Sequence, residues 1–135
     1  ALELKPDFMG AHVNLGNLLS DQGRLGDAEV CFRRALEVEP RFPEAHNNLG
    51  NALRSLGRWD EAEVCFRHAR ELKPDFPEAH HNLGLLQSDR GRLKEAEAGF
   101  QRALELRPDY AEARQSLKLL KGKQVPVWHF PSSGR

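Results

Sequence analysis

What this sequence lacks narrows its function before any motif is read. Its 20 basic and 20 acidic residues cancel, so the positive footprint of a nucleic-acid binder is missing. No stretch approaches the roughly 18 apolar residues that a membrane helix requires. There is no initiator methionine and no secretory leader at Ala1-Leu2-Glu3-Leu4, so the chain reads as part of something longer. Cysteine is confined to Cys31 and Cys65. They stand at the same place in consecutive internal copies, where stacked helices hold equivalent Cα atoms about 10 Å apart or more. A disulfide needs them within about 7 Å. Both therefore read as free thiols in a reducing, cytoplasmic setting.

What is present is repetition. Shifted by 34 residues, the chain falls on itself in three copies, 9–42, 43–76 and 77–110. Leu15-Gly16, Leu49-Gly50 and Leu83-Gly84 recur, as do Ala28, Ala62 and Ala96, then Phe32, Phe66 and Phe100. Pro40, Pro74 and Pro108 close the units. Residues 1–8 match the end of a unit, so a preceding repeat is expected to be cut through there.

Each copy predicts two helices. In the first, Ala11, Leu15, Leu18 and Leu19 form an apolar stripe at helical spacing. Gly23, Gly57 and Gly91 end these helices, since glycine takes the left-handed conformation without a Cβ penalty. The second helix starts near Leu25 and stops at Pro40, which has no N–H and restricts its predecessor. Asp75 with Glu78, and Asp109 with Glu112, predict capping-box-like starts. Gly16, Gly50 and Gly84 lie inside helices at a cost of up to about 1 kcal/mol each. Close approach of Ala28, Ala62 and Ala96 is expected to offset it, with Phe32, Phe66 and Phe100 filling the seam to the following unit. One pair cannot bury its apolar face alone, so units must stack.

These residues resemble the tetratricopeptide pattern, Trp-x2-Leu-Gly-x2-Tyr, then Ala-x3-Phe, then Pro. The first copy reads His12-x2-Leu15-Gly16-x2-Leu19, Ala28-x3-Phe32, Pro40. His12, His46 and His80 replace the aromatic residue. The resemblance implies an all-α fold, a right-handed α-solenoid of helix-turn-helix repeats. Its expected organisation is the end of a truncated repeat at 1–8, repeats at 9–42, 43–76 and 77–110, a capping helix at 111–121 and a linker at 122–135. Lys118 occupies the glycine place and suits a solvent-facing end. The aromatic cluster Trp128-His129-Phe130 resembles the junction that joins such repeats to the catalytic domain of some arginine methyltransferases.

No chemistry emerges from the polar residues. His12, His46 and His80 are too far apart to share a zinc ion, whose ligands lie within about 2.1 Å. Nearly every Cys and His is a repeat position, and no nucleophile and base converge. The expectation is therefore no enzyme activity, no cofactor and no metal.

Asn14, Asn48 and Asn82 are the stronger candidates. Each precedes the recurring leucine (Leu15, Leu49 or Leu83) and lies off the stripe that closes the helix pair. An amide offers both donor and acceptor to a peptide backbone. The array resembles the superhelix of O-linked N-acetylglucosamine transferases, whose groove carries an asparagine ladder. That resemblance implies a concave groove whose further positions are Asn17, Asn51 and Leu85, with Val13, Asn47 and His81 beside them and Arg54 nearby. The lysine-rich clamp of the family's chaperone-binding members is not matched at Val13, His81 or Asn82. The expected function is a protein–protein interaction scaffold that holds an extended peptide or partner segment. The alternative is the substrate-targeting arm of a larger glycosyltransferase or methyltransferase. The expected partner is a protein or peptide, not nucleic acid or membrane. Self-association through the open repeat end or the aromatic tail is a further expectation.

Overall fold

The structure, a computed structural model, describes residues 6–123, with side chains from Gly10 onward. Seven helices follow one another: α1 Pro6–Asp21, α2 Leu25–Val38, α3 Pro43–Ser55, α4 Trp59–Leu72, α5 Pro77–Asp89, α6 Leu93–Leu106 and α7 Ala111–Lys123. The described residues contain no strand. The aromatic cluster at Trp128-His129-Phe130 lies outside them.

The turns inside each pair follow the sequence expectation. Gly23, Gly57 and Gly91 have φ of 80°, 80° and 77°. The following amide then reaches back, as Arg24 donates to the Leu19 carbonyl at 2.8 Å, which satisfies an orphan carbonyl at the helix end. The helix starts differ from expectation. Phe76, not Asp75, is the N-cap of α5, and no side chain caps it. Pro77 occupies the first turn, where its missing N–H costs nothing. Phe42 and Pro43 do the same for α3.

The histidines at the aromatic place of the motif have a shared structural task. Nε2 of His46 donates to the Pro40 carbonyl at 2.8 Å, and Nε2 of His80 donates to that of Pro74 at 2.8 Å. Arg114 takes the same place in α7 and donates to Pro108 at 2.7 Å. Each side chain pins the loop before its own helix.

The core lies within and between the pairs. Phe32 and Phe66 are fully buried, and Phe100 nearly so. They lie over the glycines of their own unit, and Phe100 also clusters with Leu120 of the following helix, α7. A Cβ on Gly16 would sit 2.5 Å from Cε1 of Phe32, and one on Gly50 would sit 2.6 Å from Cε1 of Phe66. The glycine thus makes room for a ring, and the ring's burial offsets the helix cost. The stripe on α1 also needs correction. Leu19 is buried, but Leu15 and Leu18 are 47% and 52% exposed. Their counterparts Leu49, Ala52, Leu83 and Leu86 are buried where α2 and α4 cover α3 and α5. No described helix covers that face of α1. Lys118 is exposed on α7, the last described helix.

The packing pattern sets the curvature. Each first helix packs on its own second helix, and each second helix packs on the next first helix. The backbones of successive first helices (α1, α3, α5, α7) also approach one another, whereas those of α2, α4 and α6 stay apart. A stack closed on one side and splayed on the other must curve, with its first helices lining the concave face.

Across the splayed side the second helices are linked by ions instead. Glu29 holds Arg33 at 2.9 Å and Arg58 at 2.7 Å. Glu63 holds Arg67 at 2.7 Å and Arg92 at 3.1 Å. Burial pushes these two carboxyls up, but the arginines outweigh it and hold both below the usual range.

Candidate peptide-binding face

The concave face is built from the inward sides of α1, α3, α5 and α7. It divides into two parallel rows with different fates.

The row Val13, Asn47 and His81 is buried, at 8%, 5% and 6% exposure. Asn47 and His81 were expected to line an open groove; they lie instead in the seam where one first helix meets the next. Asn47 accepts a hydrogen bond from Nδ2 of Asn82 at 3.0 Å. Nε2 of His81 lies 2.9 Å from the Ser116 hydroxyl, and its Nδ1 lies 3.3 Å from that of Tyr110. Burial lowers the His81 pKa, and Glu112 only partly offsets this. The ring is therefore neutral at pH 7, which suits a seam. Val13 makes the equivalent position apolar in the first unit.

The adjacent row is open. Asn14 and Asn17 are exposed, and Asn48, Asn51 and Asn82 are half-buried. Among the described residues the side chains of Asn14, Asn17, Asn48 and Asn51 make no hydrogen bond, and none of their polar atoms is sealed from solvent. Asn82 spends one donor on Asn47 and keeps its carbonyl oxygen. Leu85 in this row takes the place of Asn17 and Asn51, and it packs partly buried against α6 and α7 residues.

Arg54 does not present a free charge. It donates to Asp89 on the next first helix at 2.7 Å. Two carboxylates in the first turns of α3 and α5 are also paired: Lys73 lies 3.5 Å from Glu44, and Arg107 lies 2.7 Å from Glu78. The face is thus rich in amides and nearly balanced in charge.

Sequence reasoning missed Asp89, Ser116 and Tyr110 as partners here. A signal was available. Asn47–Asn82, Arg54–Asp89 and His81–Ser116 all join residues 35 apart, one more than the repeat. Side chains that cross the seam lean forward by one position, so complementary pairs at that spacing mark it.

The chain can now be compared with known proteins. Two family models, each described as tetratricopeptide repeat, match residues 41–109 and 13–65. The chain belongs to the tetratricopeptide repeat family. A search of the curated proteins finds no match. Among solved structures, the first TPR of Spaghetti (RPAP3) bound to HSP90 peptide SRMEEVD is 23% identical, with a TM-score of 0.83, covering 91% of this chain and 98% of that one. The second TPR domain of the human RPAP3 protein in complex with HSP70 peptide SGPTIEEVD is 23% identical, with a TM-score of 0.78, covering 87% and 98%. A mutant O-GlcNAc transferase of Thermobaculum terrenum is 28% identical, with a TM-score of 0.81, covering 83% of this chain and 22% of that one. These likenesses establish an all-α tetratricopeptide solenoid, a class of fold whose solved members include peptide complexes. No described helix is long and apolar enough to cross a membrane.

Proposed function

We propose that the chain is a protein-interaction scaffold that holds an extended peptide along its concave face. Asn14, Asn48 and Asn82 grip the peptide backbone on this reading. The observation that carries it is the row of unspent amides. Three units place an asparagine at one register on the inward side of stacked first helices, and Asn14 and Asn48 have no internal partner. Successive rungs are about 10 Å apart. An extended peptide rises about 3.3 Å per residue, so every third residue meets a rung. Backbone recognition of this kind tolerates many sequences. Asn17 and Asn51 lie on the same open row and extend the contact.

The peptides in the two RPAP3 complexes end in Glu-Glu-Val-Asp. This face suits such acidic tails poorly, because Arg54 is already neutralised by Asp89. A neutral or mixed-charge segment fits better. On this reading the described residues do no chemistry, and two buried thiols suit a reducing cytoplasm. A second reading rests on the transferase likeness: the array is the substrate-targeting arm of a larger enzyme. The same groove would then deliver substrate, and a longer native reading frame distinguishes the two.

The test uses peptides selected from a random library on the immobilised chain. Changing Asn14, Asn48 and Asn82 together to alanine should leave helical content unchanged. Each net hydrogen bond contributes about 0.5–1.5 kcal/mol, so affinity for the selected peptides should fall tenfold or more. Undiminished binding by the triple variant would remove the ladder from the account.

A further inference from the structure

Four departures from the repeat converge on one place. Arg70 stands where the other copies have Leu36 and Leu104. Gln87 replaces Leu19 and Leu53, Ala98 replaces Val30 and Val64, and Gly99 replaces Cys31 and Cys65. All four line a single cavity of about 400 Å³. It lies between α4 and α6, over α5, on the side where the backbones of the second helices are splayed. Ala98 on α6 is shorter than the valine of the other copies, Gly99 lets the α6 backbone close on that of α5, and an arginine on α4 lines the opening. The arginine does not help a solenoid pack, since a leucine at position 70 would bury more apolar surface.

The charges around the cavity are unequal. Arg67 is held by Glu63 at 2.7 Å, and Arg102 by Glu105 at 3.1 Å. Arg70 is half-buried and forms no ion pair or hydrogen bond among the described residues. His80 also lines the cavity, with Nε2 committed to Pro74. Burial lowers its pKa, and the positive charges of Arg70 and Arg102 lower it further. Those two cations therefore act on the same point. Leu83, Ala98 and Gly99 give the cavity an apolar part, and Glu95 supplies one opposing carboxylate.

We propose that this cavity binds a small amphiphilic anion, with an oxyanion head on Arg70 between Arg67 and Arg102 and an apolar body against Leu83, Ala98 and Gly99. A guanidinium offers two parallel donors that match a phosphate or carboxylate. The volume falls in the usual range of small-ligand sites, about 300–1,000 Å³, and exceeds what a bare phosphate fills. The head can belong to a free small molecule or to an aryl phosphate side chain of a partner protein; the chemistry is shared.

The test is an NMR titration of the whole chain with phenyl phosphate, inorganic phosphate and a blocked phosphotyrosine peptide. Phenyl phosphate should move the Ala98 and Gly99 amides saturably, at least tenfold more tightly than inorganic phosphate. Arg70→Leu restores the residue of the other copies and should keep the fold while weakening binding at least tenfold. Ala98→Val should weaken it by narrowing the cavity; Gly99→Cys is avoided, because a Cβ there meets the His80 carbonyl at 2.9 Å. Tighter binding of the peptide than of phenyl phosphate assigns the head to a partner protein, and weaker binding assigns it to a free molecule. No saturable shift with phenyl phosphate, or unchanged binding by folded Arg70→Leu, overturns the site. Equal binding of inorganic and phenyl phosphate overturns the apolar part.

Discussion

Asn82 donates its side-chain amide to the side-chain oxygen of Asn47, 3.0 Å away on the preceding first helix. One residue of the open row is thereby tied to one residue of the buried seam. The bond orients the Asn82 carbonyl and links two repeats directly. A double-mutant cycle on Asn47→Val and Asn82→Ala, followed by urea unfolding, should give a coupling of about 0.5–1.5 kcal/mol. Zero coupling would show that the contact does not persist in solution.

The glycines make opposed predictions. Gly50→Ala drives a Cβ to within 2.6 Å of the buried Phe66 ring, and overpacking of this kind costs about 1–3 kcal/mol. Gly26 lies inside α2 with nothing near its missing Cβ. Gly26→Ala should therefore stabilise the protein by about 0.4–1 kcal/mol. Thermal melts of the two variants should move in opposite directions. A shared direction would contradict the packing described.

Three histidines set a pH dependence. Burial lowers the pKa of His46, His80 and His81 from the ordinary value of 6.5. The unfolded chain then takes up protons first as pH falls. Unfolding free energy should be highest above pH 6.5 and decline below it, in the direction set by the extra protons on the unfolded state. Comparing urea unfolding at pH 7.5 and pH 5.5 checks this. Replacing all three by glutamine should flatten the decline, and an unaltered slope would assign it to other groups.

Much of the fold was legible because the physics of a repeat is written three times. Gly23, Gly57 and Gly91 marked the turns, and Pro40, Pro74 and Pro108 marked the ends of units. The partners of the inner glycines were harder to read. Ala28 and Phe32 stand four apart on one face of α2, and only the crossing of α1 and α2 decides that the ring covers Gly16. The candidate face was half legible. Periodicity separated the asparagine row from the leucine stripe, but Asn47 and Asn48 are adjacent and polar, and sequence alone gives no reason to bury one of them. The seam between first helices decides that. Leu15 and Leu18 were misplaced because their exposure depends on what lies beside α1, which intrinsic pattern does not encode.

The central claim is that the row of unspent amides on the concave face is where a partner binds. Its most direct measurement is an NMR titration of the chain with a library-selected peptide, following the side-chain amide signals of Asn14, Asn48, Asn51 and Asn82. The account predicts that these signals shift together and saturate at one affinity, while Val30 and Val64 on the outward side of α2 and α4 stay unmoved. Shifts confined to the second helices, with the four asparagine amides unchanged, would contradict it.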